Sequence, residues 1–322
     1  MIVARPHAAR PEETRMHESR SSAPILGSMR FGEWGARLSP EGVADLLEGA
    51  LDLGIDTLDL ADIYGGHTTN ALVGAAFARR PGLRQRLHLI AKIGIVMASS
   101  PGNARGVQHY DSSVSHLRRA LDESLRALGV ERVDTLMLHR FDPLLEPAAI
   151  ADWVREEQTA GRIGAFGVSN FDAHAIALFD GVLFDGVLFG GTLLGGMLPI
   201  AANQIELSLA HDAALDDGTL AATRARGAEA QAWSPLGGGA LLDPQSSIGG
   251  RLHGALQTMS AEFGLDPASL LLRWVATVPG VRAVLGSTKI ERLREGVRAC
   301  AEPLPRDAWY ALWEAARGRA VP

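Results

Sequence analysis

The stretch GIDTLDLADIYGGH, residues 54–67, holds a short apolar run that ends among carboxylates. Ile55, Leu58 and Leu60 read as a buried strand over 57–60. Asp59 interrupts that run, Asp62 follows it, and Tyr64 stands before two glycines. Burial gives no reason for a carboxylate inside a core strand, where an unpaired charge is costly. A parallel barrel does give one, because its chemistry sits where strands end. The segments on either side of this stretch therefore decide the fold.

Those segments alternate. An apolar run at 25–29 precedes a helix over 41–53 that stops at Gly54, and the 57–60 strand precedes helix 69–79. Strand 88–92 leads through a long polar loop to helix 113–128. Strands at 133–138, 164–168, 201–205 and 229–233 are followed by helices at 147–160, 173–179, 218–226 and 251–264. A helix at 267–276, strand 282–285 and helices 290–299 and 306–317 complete the chain. Eight strand-then-helix units with additional C-terminal helices predict an α/β fold, the (β/α)8 TIM barrel. A doubly wound open sheet would carry a glycine-rich fingerprint after its first strand. No GxGxxG occurs.

Composition narrows the partners. The chain has 322 residues, 47% of them apolar, and a net charge of −6. That balance offers no basic face for nucleic acid, and no apolar run approaches the roughly 20 residues of a membrane span. Cys300 is the sole cysteine, which precludes an internal disulfide or a cysteine-cluster metal site and suits a reducing, cytoplasmic setting. Residues 1–22 are polar and Arg-rich, with Glu12, Glu13 and Glu18 and no apolar signal core. They read as a disordered extension before one domain over 23–322. DGVLFDGVLFGGTLLGG, 180–196, repeats DGVLF in tandem. It reads as packing over a barrel end or a subunit contact, with a substrate lid as the sharper reading. Oligomeric state is not legible.

The polar residues closing each predicted strand should gather at one rim. They are Asp59 with Tyr64 beyond it, Lys92, His139, Ser169 and Asn170, then Asn203, Gln204 and Glu206, Trp233 and Ser234, and Gly286 and Ser287. Of 31 basic residues only Lys92 and Lys289 are lysines, so each is a candidate for a place where arginine will not serve. An ammonium about 4 Å from a phenol stabilises phenolate by at most roughly 4 kcal/mol. Lys92, pinned by Asp59, is thus expected to make Tyr64 a stronger acid, with His139 orienting a carbonyl oxygen. A proton donor without metal or acyl nucleophile suits carbonyl reduction with a hydride-carrying cofactor. The plain alternatives are a capping or Arg-paired Asp59, a core Tyr64, a snorkelling Lys92 and a structural His139. Asp62 reads as turn chemistry. Trp34, the 94–112 loop, Trp309, Tyr310 and Trp313 are candidate pocket walls or packing.

GIDTLDLADIYGG, LIAKIG, VDTLMLHRFDP, GAFGVSNF, ANQIE, AWSPLGGG and VLGSTKIERLREGV occur in the order found in the aldo-keto reductase superfamily. The chain resembles its bacterial oxidoreductase branch from about residue 24 onward. The resemblance implies NADP as cofactor and a small carbonyl substrate. It implies Tyr64 as acid, Asp59 and Lys92 tuning it, and His139 orienting substrate. By position it places Ser169, Asn170 and Gln204 on the nicotinamide amide and Trp233 against the ring. Ser234, Leu236 and Gly238 fall in the pyrophosphate loop. Gly286, Ser287, Thr288, Arg292 and Glu295 fall at the adenosine end, and Gly27, Ser28, Met29 and Arg30 near the ribose. Positive charge from Lys289 and Arg292 at a predicted helix start would favour a 2′-phosphate, hence NADPH over NADH. Three positions depart from the pattern: Leu60 where Thr is frequent, Asn70 where Glu is common, and Gly296 where Asn is usual, which implies a missing adenine contact.

Three readings follow. The first is an NADPH-dependent carbonyl reductase. The second is a non-enzymatic NADPH-binding regulatory or redox-sensing subunit. The third is a Schiff-base aldolase using Lys92, disfavoured because Asp59 would keep that amine charged.

Overall fold

The computed structural model describes residues 23–180 and 198–321. Expectations for residues 1–22 and for the tandem repeat lie outside the described residues, apart from Asp180, which ends a helix. Eight strands close into a parallel barrel in sequential order. They are β1 (Ile25–Gly27), β2 (Thr57–Ala61), β3 (His88–Ile93), β4 (Val133–Leu138), β5 (Ile163–Ser169), β6 (Ile200–Glu206), β7 (Glu229–Trp233) and β8 (Val281–Leu285). The register sets Ala61 beside Lys92, Ser169 beside Gln204, and Gln204 beside Gln231. Polar groups from neighbouring strands therefore meet at one level of the barrel.

Helices surround it: α1 (Pro40–Asp52), α2 (Thr69–Arg79), α3 (Val114–Leu128), α4 (Pro147–Thr159), α5 (Ala173–Asp180), α6 (Thr219–Ala225), α7 (Ser247–Phe263), α8 (Pro267–Thr277), α9 (Ile290–Cys300) and α10 (Arg306–Arg317). Their ends follow local chemistry. Ser39 accepts from Gly42 N at 3.1 Å ahead of Pro40, and Asp266 accepts from Ala268 N and Ser269 N ahead of Pro267. The α3 helix stops at Gly129, which is left-handed. No helix among the described residues is long and apolar enough to cross a membrane.

Strand alternation sorts the side chains. Leu58, Leu60, Leu89, Ala91, Leu136 and Leu138 join the main core between strands and helices. Ile25, Ile90, Met137, Ala202 and Val284 form a second cluster, with Trp233 packed on it. A hydrogen-bonded chain links Arg282, Glu229, Gln231 and Gln204 to Asp59. Asn203, expected at the rim, has the opposite parity and donates to Phe171 O and Thr223 Oγ1.

The strand expected over 25–29 ends at Gly27, because Ser28 turns the chain by donating its N–H to Asp59 O at 3.0 Å. The polar loop after β3 contains a two-stranded hairpin, Ile95–Val96 with His109–Tyr110. Both strands are too short to give a periodic signal.

Close helix packing gives a stability prediction. A Cβ on Gly74 of α2 would lie 2.2 Å from the Ala127 carbonyl oxygen of α3. Backbone offers no side-chain rotamer to relieve that clash. Gly74→Ala should lose about 1–3 kcal/mol of stability, read as a lower midpoint in urea with activity per folded molecule retained.

Candidate active site

Asp59 is the centre of the site. Lys92 Nζ pairs with its Oδ1, and Gln204 Nε2 donates to the same oxygen at 2.8 Å. The Tyr64 hydroxyl donates to Oδ2 at 3.5 Å. Ser28 fixes the Asp59 backbone from N and from Oγ, the latter at 2.7 Å from Asp59 O. The Lys92 and Asp59 side chains are 1% and 3% exposed, so this is a fully buried ion pair.

Tyr64 reaches that carboxylate from a short turn, Tyr64–His67, in which Gly65 and Gly66 have φ of 60° and 64°. A Cβ on Gly65 would also lie 2.7 Å from Thr69 Oγ1 and 2.8 Å from Thr68 Oγ1. The turn that presents the phenol thus needs Gly65 for both its space and its positive φ, and Gly66 for its positive φ alone.

The ammonium does not acidify the phenol as expected. Burial, and then the adjacent Asp59 charge, push the Tyr64 hydroxyl well above its ordinary value. Lys92 is matched by Asp59, and its nitrogen lies 5.2 Å from the Tyr64 ring centroid. Burial also lowers the Lys92 amine, an effect that Asp59 opposes. Tyr64 is consequently protonated at neutral pH.

His139 stands edge-on to Tyr64, with ring centroids 5.9 Å apart. Its N–H donates to Ile93 O at 2.9 Å, and its carbonyl accepts from Asn170 Nδ2 at 3.3 Å. Burial first, then Lys92 and Arg140, lower its pKa well below the ordinary histidine value, so the ring is neutral. Its Nδ1 is buried without a partner among the described residues. Trp34 also stands edge-on to Tyr64, with centroids 6.4 Å apart.

Asn170 is left-handed at φ 59°. Its Oδ1 accepts from Trp233 Nε1 at 2.9 Å, and its Nδ2 donates to Ser169 Oγ at 2.9 Å. Beyond β7, Ser234 has φ 51°, and Gly237, Gly238 and Gly239 all have positive φ. Leu236 precedes that glycine turn and is half-buried. Gly286, Ser287 and Thr288 link β8 to α9, and Ser287 Oγ accepts from Lys289 N at 3.1 Å. Arg292 and Glu295 lie on the exposed side of α9. Gly27 and Ser28 are buried at the end of β1, while Met29 and Arg30 are exposed.

Asp62 is more than turn chemistry. Its Oδ1 is buried without a partner among the described residues, and burial pushes the carboxyl up to about 7. A raised carboxyl pKa means that the folded chain holds a proton the unfolded chain has already released. The resulting stability is present below about pH 4 and is lost as pH rises to about 7. Asp62→Asn should therefore raise the melting temperature more at pH 8 than at pH 4. A gain that does not grow with pH would contradict the burial of that carboxyl.

The aldo/keto reductase family model matches residues 25–317. The chain belongs to this family. An oxidoreductase of Bacillus subtilis, YcsN, is 34% identical over 300 residues, spanning 92% of this chain and 95% of the relative. A 6-dehydroglucose reductase of Agrobacterium fabrum is 32% identical, spanning 92% of this chain and 95% of its own. Among solved structures, an aldo-keto reductase of Klebsiella pneumoniae in complex with NADP and acetate has a TM-score of 0.68. It is 23% identical and covers 91% of this chain and 90% of its own.

Within this aldo-keto reductase, some expected positions serve packing. Gly296 is buried, and a Cβ there would lie 2.7 Å from Leu285 Cδ1, so the residue lets α9 approach β8. Trp309 stacks on Trp274 at 4.8 Å, and each indole N–H donates to the other's backbone carbonyl. Trp313 donates to Asp212 and lies under Arg317. These two tryptophans pin α10 to the fold. Arg140 carried no signal in sequence beyond standing next to His139. Its guanidinium carbon lies 5.5 Å from the Trp233 ring centroid.

Proposed function

We propose that this aldo-keto reductase reduces an aldehyde or ketone to an alcohol, using NADPH, with Tyr64 as the proton donor. The observation that carries the reading is the Tyr64 phenol held in protonated form beside a buried Asp59–Lys92 pair and a neutral imidazole. Two neutral donors polarise a carbonyl oxygen without themselves placing a charge on it before reaction. The imidazole with its proton on Nε2 would leave the unpartnered Nδ1 as a lone pair, the less costly orphan. As charge develops on the substrate oxygen, the Tyr64 proton transfers to it. An alkoxide is a far stronger base than a phenolate, so a raised phenol pKa does not prevent that step. Lys92, held by Asp59, stabilises the phenolate left behind.

The residues present fit a nicotinamide dinucleotide. Successive positive-φ residues at 237–239 can direct backbone N–H groups to a pyrophosphate, with Ser234 and Leu236 beside them. Trp233 offers a ring face, and Ser169, Asn170 and Gln204 offer amide-binding groups. Gln204 engages its Nε2 with Asp59 and Gln231, which leaves its carbonyl oxygen to accept. Gly27, Ser28, Met29 and Arg30 would border the ribose. The start of α9, with Gly286, Ser287, Thr288, Arg292 and Glu295, would take the adenosine end. Lys289 and Arg292 favour the 2′-phosphate. When bound, the cofactor supplies hydride. The family relationship and the NADP held by the Klebsiella structure support the cofactor class.

A screen of aldehydes, ketones and quinones tests the reading. NADPH oxidation should saturate with at least one carbonyl class and exceed NADH oxidation at equal concentration. Tight NADPH binding with no saturable turnover across the panel would refute the enzymatic reading.

A further inference from the structure

Arg140 stands apart from the other groups around Tyr64. Among the described residues it has no ion-pair partner and no hydrogen-bond acceptor for its side chain. The carboxylates that the barrel strands and this loop carry have other partners. Asp59 holds Lys92, and Glu206 faces His211 at 3.4 Å. Asp142, two residues along the same loop, accepts from Ser112 N and from Leu144 N, each at 2.9 Å.

The loop that carries Arg140 is fixed on both sides. His139 is tied through its backbone to Ile93 and Asn170. Phe141 packs edge-on against Phe171, with centroids 5.5 Å apart. Arg140 is half-buried, and its guanidinium lies over the Trp233 ring. Its charge also reaches the Tyr64 hydroxyl and the His139 ring. Apolar groups complete the surroundings: Trp34 stands against Tyr64 and is 44% exposed, and Ile95 and Met97 pack with Tyr64. An unmatched cation on a rigid loop, among apolar walls, is the chemistry of an anion receptor. Its planar fork can take a carboxylate or phosphate through two parallel hydrogen bonds.

We infer that Arg140 receives an anionic substituent of the substrate, so that the preferred substrate is an aldehyde or ketone carrying a carboxylate or a phosphate. The inference rests on the carbonyl-reductase reading given above. Arg140 in this role is a specificity determinant rather than a proton donor.

The test compares matched substrates that differ in charge. One arm pairs 3- and 4-carboxybenzaldehyde with their methyl esters. A second pairs glyceraldehyde 3-phosphate with glyceraldehyde, and so separates a phosphate preference from a carboxylate preference. The ratio of kcat/KM, anion over neutral partner, is measured in wild type, Arg140→Met and Arg140→Lys. In at least one arm the wild-type ratio should exceed one. In R140M that ratio should fall at least tenfold, chiefly through KM. R140K should lie between, because it keeps the charge and loses the fork. The wild-type ratio stands alone if R140M fails to fold. A wild-type ratio of one or below in both arms overturns the inference. So does a parallel loss on both members of a pair, which would mark Arg140 as a support for Trp233. NADPH binding without oxidation by any carbonyl instead overturns the parent reading, and this inference with it.

Discussion

Tyr64→Phe should lower kcat for carbonyl reduction by about 10²–10⁴-fold, the usual contribution of a positioned general acid. NADPH affinity should be retained, because the phenol's hydrogen bond is to Asp59 and not to any residue assigned to the cofactor. The substitution removes one oxygen and keeps the ring that packs with Ile63 and Ile95. Folding should therefore be little affected. The fluorescence of bound NADPH reads the first condition and a urea midpoint the second. A variant with wild-type turnover and intact cofactor binding would remove Tyr64 from the chemistry.

Lys92→Met should be damaging in a different way. It leaves the Asp59 carboxylate buried without its cation, and breaking a buried pair from one side costs about 3–5 kcal/mol. Both stability and turnover should fall. Adding Asp59→Asn removes the stranded charge, so the double variant should regain much of the lost stability. It should not regain turnover, because neither the ammonium nor the carboxylate is left to support the phenol. Equal stability losses in the single and double variants would mean that the pair contributes no such coupling. Recovery of turnover in the double variant would make the pair structural only.

The barrel was legible because its strands are bounded by helices with clear starts and stops. Gly54 marks such a stop in sequence, and the structure adds caps at Ser39–Pro40, Gly129 and Asp266–Pro267. The convergence of Asp59, Tyr64, Lys92 and His139 followed from counting which residue closes each strand. Their charge states did not follow. Sequence order places Lys92 near Tyr64 but does not say that Gln204 and Lys92 share one Asp59 oxygen while the phenol takes the other. That partition depends on barrel register, and burial of the phenol, followed by the Asp59 charge beside it, reverses the expected direction of its shift. Asn203 shows the same limit, since a one-residue change of parity moves a side chain from the barrel interior to the helix layer. Asp62 and Arg140 were passed over because burial and the absence of a partner are properties of the assembled rim. A lone arginine after a histidine has neither property until its neighbours are known.

The most direct measurement follows a labelled hydride. Wild-type protein is supplied with NADPH carrying deuterium at C4 on the transferred face, and a carbonyl substrate that turns over, in ordinary water. The alcohol is then analysed by mass spectrometry. One deuterium on the carbinol carbon, formed at a rate that collapses in Tyr64→Phe, is the predicted result. An alcohol without label, or label transfer at an undiminished rate in Tyr64→Phe, would contradict hydride transfer coupled to proton donation by Tyr64.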